Sequence, residues 1–446
     1  MPDMTIQDQI DAIIENAINE TQLVGASVGV MRDNEVVLAR GYGYADLNNK
    51  AEATEHTVYR IGSITKQFTA LAIMILVEQG KVNLNDIMLD YLSNYPQRAH
   101  KVTIDQLLNH TSGIKSYTDI ERFWEISERD LSRQEVVGLF SSEPIEFSPD
   151  ENFQYNNSGY YLLGLIIENV SGMSYADFLK ANVWQPLEMF DTHYLGKTKP
   201  IKNLATGYDH KDNEFVLARP IGMDNPFSGG SLGSSILDLL KWQTALNENQ
   251  LISRQSYNKM IEPGLLRNGK HTTYGYGFFM SNLNGHRKIE HGGTINGFRA
   301  QLSAYPDDDL TVTVLCNLNS APQAQLESQI SRLMLGIPEI VIDEIQVSED
   351  NLEIYTGTYK WCSTMAPVPF PVSVAEGTLR VSGRSLRAIG NHTFVFSTDP
   401  YYTVTFTVKD GKSISFRAER EGQITDALRI EDTRSQQFQW HTTSHN

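Results

Sequence analysis

Strand signals stand at both ends of a long helical stretch, and this order limits the fold more than any other feature of the chain. Near the start, "GASVGVMRD" and "EVVLARGYGYAD" carry the branched residues of strands, with Arg32-Asp33-Asn34-Glu35 as the turn between them. From about residue 81 to 225 the pattern is mostly helical, clearest in "TIDQLLNHTSG" and "GYYLLGLIIENVSG". After Gly229-Gly230 and the helix "SSILDLLKWQTALN", strands return as "YGYGFFMSN", "HRKIEHGG", "GFRAQLSAYP" and "LTVTVLCNLN". "QLESQISRLMLG" then closes the region as a helix. Strands from both ends flanking helices predict a mixed α+β layer with an inserted all-helical region, about 81–225.

The remainder has a different character. Residues 351–446 offer short alternating strands, among them "YTGTYKW", "TLRVSG", "HTFVFST" and "YTVTFTVKD". Seven or eight such strands predict a small antiparallel β-barrel. The division expected is a first domain over 1–338, a linker over 339–350 and the barrel over 351–446. At 446 residues the chain is long enough for two or three domains.

The formal net charge of −17 argues against nucleic acid and anionic membrane surfaces as partners, since both require a basic face. No apolar run reaches membrane-spanning length. The first twenty residues read as an amphipathic helix rather than a signal peptide, so a cytoplasmic location is expected if Met1 is the native start. A secreted protein with its leader removed would read the same way. Of two cysteines, Cys316 falls in a strand pattern and reads as core; Cys316 and Cys362 imply neither a disulfide framework nor a zinc site.

The helix pattern of "RIGSITKQFTALAIMILVEQG" begins with Ser63 and Lys66, three residues apart on one face. A serine hydroxyl needs a base within hydrogen-bond reach, and a lysine serves only if burial strips its proton. Ser-x-x-Lys alone is weak. It recurs at Ser112–Lys115 and Ser256–Lys259, which read as a loop and a helical surface segment. Two rarer motifs accompany the first. Tyr155-Asn156-Asn157 is the only Tyr-x-Asn in the chain, and His291-Gly292-Gly293 is the only His-x-Gly. A tyrosine is a suitable second proton carrier if nearby cations lower its pKa. Glycines at a strand end let a substrate approach the backbone. Asn109 and His110 read as structural loop residues. His286 and His291, five apart on a strand, point to opposite faces and cannot share a metal.

With these three motifs the chain resembles the serine β-lactamase and penicillin-binding-protein-like hydrolases, in the class C branch, over roughly residues 5 to 336. "LLNHTSG", "PLEMFDT" and "SGGSLGSSILDLLKW" add to the likeness. The resemblance implies an antiparallel sheet flanked by helices beside an all-helical subdomain. It implies Ser63 as the acylated nucleophile, Lys66 and Tyr155 sharing acid and base work, and Asn157 orienting the lysine and the substrate. His291 and Gly293 would contact substrate, and the backbone N–H groups of Ser63 and Thr294 would form the oxyanion hole. It implies no cofactor and no metal.

Most penicillin-recognising members have lysine where this chain has His291. That departure resembles the esterase and D-amino-acid peptidase relatives, and efficient β-lactam hydrolysis is not expected. Glu188 in "PLEMFDT" stands where relatives often have glycine. The C-terminal strands resemble a lipocalin-like domain. The expected activity is cleavage of amide or ester bonds through an acyl-enzyme, on D-amino-acid-containing peptides. The rivals are a carboxylesterase of the same fold and a catalytically weak protein that binds ligand in the barrel. Expected partners are a small molecule or peptide, with a homo-oligomer left open.

Overall fold

The computed structural model describes residues 4–20, 23–96, 99, 101–196, 200–338, 342–361, 369–397, 399–420 and 423–430. The chain forms two compact units, Met1–Pro338 and Glu339–Asn446.

The first unit is built on seven antiparallel strands. They are β1 (Gly25–Arg32), β2 (Glu35–Asp46), β3 (Ala51–Glu52), β4 (Phe279–Leu283), β5 (His286–Ile295), β6 (Phe298–Tyr305) and β7 (Leu310–Cys316). Their spatial order is β3-β2-β1-β7-β6-β5-β4, so the chain's two strand blocks meet where β1 pairs with β7. Asp33 and Asn34 both hold positive φ, the conformation that closes a tight hairpin between β1 and β2.

Five long helices place the layers: α1 (Ile6–Asn19), α2 (Thr65–Glu78), α3 (Asn157–Ser171), α4 (Ile236–Glu248) and α5 (Gln323–Leu335). Helices α1 and α5 cover one face of the sheet. There Ile10, Ile14, Leu326 and Ile330 pack with Val28, Val30, Val312 and Val314 in one apolar cluster. A second cluster, on the other face, joins α2, α3 and α4. Within it, every residue of α2 from Thr65 to Ile75 is buried, and so is Leu76. A helix buried on all sides is apolar all round, and this sets Lys66 inside the protein.

The region from 81 to 225 departs from the helical expectation in its last part. Helices Ile104–Leu108, Glu121–Ile126, Arg133–Ser141 and Tyr175–Leu179 accompany α3, but Tyr208–Lys211 and Glu214–Leu217 form a hairpin. Its turn residues Asp212 and Asn213 both have positive φ, the Asp-Asn signal of a hairpin. Glu188 also has positive φ, which accounts for the glycine that relatives place there.

In the second unit eight antiparallel strands close into a barrel, running from Gly357–Trp361 to Gln423–Ile430. Arg384–Gly390 is the strand the sequence pattern passed over. The inside is filled by Tyr355, Tyr359, Phe370, Phe394, Phe406 and Phe416, with ring centroids such as Phe406–Phe416 5.1 Å apart. Val347, in the expected linker, packs against this core. An interior of touching rings is a packed core, which counts against the rival reading of a ligand-binding barrel.

Cys316 is buried in β7 as read from the pattern. Cys362 lies outside the described residues.

Candidate active site

The serine sits on a backbone bend rather than on α2 itself. Gly62 has φ +49 and opens a single 3-10 turn, Gly62–Ile64, from which α2 continues at Thr65. The bend is pressed against β5. A Cβ on Gly62 would meet the Thr294 nitrogen at 2.8 Å, and a Cβ on Gly293 would meet the Ile61 carbonyl oxygen at 1.9 Å. Neither position has room for any other residue. This backbone-on-backbone contact brings Ser63 and Thr294 to the rim of one cavity.

Lys66 is fully buried one turn beyond Ser63. Its Nζ lies 2.8 Å from Asn157 Oδ1, 2.8 Å from the Gly229 carbonyl oxygen and 3.2 Å from Ser63 Oγ. Burial, with no acidic partner to offset it, holds the amine well below its ordinary pKa. A neutral amine has two N–H donors and one lone pair. The two carbonyl oxygens take the donors, which leaves the lone pair for the Ser63 hydroxyl proton. Asn157 is fixed in turn, since its Nδ2 donates to Thr118 Oγ1 at 3.1 Å.

Tyr155 packs beside the lysine, with Lys66 Nζ 4.7 Å from its ring centroid. Its hydroxyl is buried and completes no hydrogen bond of full geometry among the described residues. Burial pushes the phenol pKa up, and the nearby Ser63 hydroxyl offsets this only in part. The condition of a phenol made acidic by nearby cations is not fulfilled here. Tyr155 holds its proton.

His291 occupies a different role from the one its motif implies. Its side chain is buried, and its Nε2 lies 3.0 Å from Tyr274 Oη. Its Nδ1 lies 2.6 Å from the Gly292 carbonyl oxygen, so Nδ1 carries the proton and Nε2 accepts from Tyr274. Burial above all pulls its pKa to about 3. The ring, like those of Tyr155 and Tyr274, does not line the cavity beside Ser63. Gly293 contributes backbone alone.

His110, read from the sequence as structural, stands against the same tyrosine. Its ring centroid is 4.4 Å from that of Tyr155 and 4.6 Å from that of Tyr274. Its Nδ1 accepts from the Asn156 N–H at 3.1 Å. Tyr274 and the Gly229 carbonyl are the neighbours that motif reading missed. Tyr274 was visible only as part of "YGYGFFMSN", whose strand pattern hides a polar role.

The cavity itself holds about 170 Å³. Ser63, Asn157, Thr294 and Gly229 stand on its rim, with Tyr117, Phe123 and Trp124 among its walls. A larger groove, about 1190 Å³, lies elsewhere, around Trp184, Phe190 and His193, and holds none of the motif residues.

The other two Ser-x-x-Lys matches are occupied otherwise. Ser256 Oγ donates to Glu78 Oε1 at 2.5 Å, and Lys259 pairs with Glu262. Ser112 Oγ accepts from the Ile114 N–H, and Lys115 pairs with Glu146. His286 pairs with Asp308, away from His291. Among the described residues no group of three or more His, Cys, Asp or Glu is placed to hold a metal ion. Nor is any helix there long and apolar enough to cross a membrane.

Comparison with known proteins gives the chain a family. The family model described as Beta-lactamase matches residues 10–332. Protein flp of Staphylococcus aureus (strain MRSA252) is 32% identical over 324 residues, which is 70% of this chain and 63% of flp. The chain thus spans less than two thirds of that relative's length. Penicillin-binding protein 4* of Bacillus subtilis (strain 168) is 30% identical over 316 residues, 67% of this chain and 69% of the relative. Among solved structures, the octameric penicillin-binding protein homologue from Pyrococcus abyssi superposes with a TM-score of 0.69 at 27% identity. That match covers 95% of this chain and 100% of the homologue.

Proposed function

From the premise that the chain belongs to the beta-lactamase family of serine hydrolases, we propose that it cleaves amide or ester bonds through an acyl-enzyme on Ser63. The substrates of this reading are D-amino-acid-containing peptides. The observation that carries the proposal is the Lys66 amine. It is buried without an acid, tied to two carbonyl oxygens, and 3.2 Å from the Ser63 hydroxyl.

In this mechanism Ser63 Oγ attacks the substrate carbonyl carbon as its proton passes to Lys66. The carbonyl oxygen becomes an oxyanion and takes hydrogen bonds from the Ser63 and Thr294 N–H groups. Tyr155, which keeps its proton, donates it to the leaving nitrogen or oxygen and is reprotonated from Lys66. Water then repeats the sequence on the acyl-enzyme and frees the serine. Lys66 is the base and Tyr155 the acid because burial moves their pKa values in opposite directions.

A carboxylesterase is the second reading. It is favoured by the lining of the cavity, in which no charged residue stands among the described residues. Self-association belongs to the same proposal, since a relative matched along nearly the whole chain is octameric.

An active-site fluorophosphonate tests the core of this. One equivalent should add to the intact mass, map to Ser63 and vanish in Ser63→Ala. Labelling at Ser112 or Ser256, or none in the wild type, overturns the assignment. Light scattering reads the assembly state.

A further inference from the structure

The acyl group that the site accepts follows from what surrounds Ser63, given the acyl-enzyme reading above. The cavity holds about 170 Å³, and Tyr117, Phe123, Trp124, Ile221, Pro226 and Ile295 make its apolar wall. A dry apolar cavity of about 150 Å³ takes one benzene ring. The space therefore suits a single ring or a branched alkyl group.

Much of its polar lining is engaged within the protein. Asn157 Oδ1 accepts from Lys66, and its Nδ2 donates to Thr118. Asn296 Nδ2 donates to the Arg219 carbonyl. Asn319 Oδ1 accepts from the Gly297 N–H, and its Nδ2 donates to Asp209. Trp124 Nε1 donates to the Thr118 carbonyl. In a chain of which 20% is charged, no Asp, Glu, Lys, Arg or His among the described residues lines this cavity. Arg299 reaches Thr294 Oγ1, and it too lies outside the lining.

The position relative to Tyr155 decides which half of the substrate enters. Tyr155 gives its proton to the leaving group, and neither Tyr155 nor His291 lines the cavity. With Tyr155 as the acid, this reading sends the leaving group toward Tyr155 and assigns the cavity to the part that stays bonded to Ser63.

We propose that the site selects an uncharged acyl group with one ring-sized or branched apolar substituent. It discriminates against an acyl group carrying a free ammonium or carboxylate. A charge in this cavity would meet no counter-charge among the lining residues. A substrate in which the amine is acylated, as within a peptide chain, meets no such penalty.

The test is kcat/KM on p-nitrophenyl esters of acetic, phenylacetic, 1-naphthylacetic and succinic acids. Phenylalanyl esters with free and with acetylated amine complete the set, and Ser63→Ala is the control. The phenylacetyl ester should exceed the acetyl, naphthylacetyl and succinyl esters by about tenfold or more. The N-acetyl phenylalanyl ester should exceed the free amine by a similar factor. Ile221→Trp, which fills the cavity, should lower the phenylacetyl-to-acetyl ratio by about tenfold. Trp124→Ala, which opens the wall, should raise naphthylacetyl relative to phenylacetyl; it covers the case in which Ile221→Trp does not fold. A flat series, a preference for succinyl or free-amine esters, or ratios unmoved in both variants overturns the inference. If no ester is turned over in a Ser63-dependent way, the hydrolase reading falls by itself. The cavity is then read by calorimetric titration of Ser63→Ala with phenylacetamide and with succinamate. Binding of the first alone upholds the selectivity, and binding of the second, or of neither, overturns it.

Discussion

The Tyr274 hydroxyl lies 3.0 Å from His291 Nε2, and this bond fixes the ring as a neutral acceptor. With its pKa near 3, His291 carries no charge at neutral pH to grip a substrate carboxylate.

Hydrolysis of benzylpenicillin should accordingly be poor, and His291→Lys should not rescue it. The new ammonium would be buried beside Lys66 with no acid, at a cost on the order of several kcal/mol. Calorimetry should show a clear fall in Tm for His291→Lys at pH 7. Tyr274→Phe, which leaves Nε2 without its donor, should cost about 1–3 kcal/mol. Efficient penicillin turnover by the wild type would contradict this account.

The pH dependence of kcat/KM should have one limb. Activity rises as Lys66 loses its proton, at a pH well below the ordinary lysine value of 10.5. Tyr155 is pushed upward, so its ionisation should produce no alkaline fall up to about pH 10. Lys66→Ala and Tyr155→Phe should each lower turnover by about two to four orders of magnitude. A bell with its alkaline limb removed by Tyr155→Phe would show the tyrosine titrating in range.

Fold stability should fall in acid for a related reason. Both His110 and His291 have pKa values lowered by burial, His291 to about 3 against an ordinary 6.5. Between those values the unfolded chain binds more protons than the native one. The stability held by keeping these rings neutral is complete above pH 6.5 and is lost as pH falls toward 3. Denaturant titrations from pH 7.5 to 4 should show this slope, and it should be shallower in His291→Gln.

Every motif residue belongs to the first unit, Met1–Pro338. A protein ending at Pro338 should fold and cleave a small ester at a rate near that of the full chain, because each unit has its own core. Small-ester turnover and circular dichroism on the truncated protein check this. A folded product without activity would give the barrel a part in the site.

What could be read from the sequence was whatever repeats locally. The α+β layer, the barrel and α1 follow from periodicity and turn residues, because a strand or helix states its buried face in its own spacing. Ser63, Lys66, Tyr155, Asn157 and His291 were found through short motifs, and the structure draws them together. The sequence could not state burial produced by distant segments. The pKa of the Tyr155 phenol is pushed up, and His291 turns to Tyr274, because α2, α3 and the strands exclude water from both. Arg384–Gly390 lacks a clean alternation and was missed, although its neighbours close the barrel around it. The cavity wall is drawn from segments near 117–124, 221–226 and 295, which no local pattern connects.

The contact of Gly62 and Gly293 with the opposing backbones separates two kinds of change open to this chain. Main-chain atoms fix the spacing between the serine bend and β5, and almost any replacement of either glycine would wedge them apart. The surrounding wall is made of side chains, Tyr117, Trp124 and Ile221 among them. Substitution there redraws the shape of what is admitted while the distance from nucleophile to strand stays as it is. The shape of the wall can thus change while main-chain atoms hold the spacing at the serine, and Ile221 is the first position to vary, because Trp124 bonds Thr118, which in turn fixes Asn157.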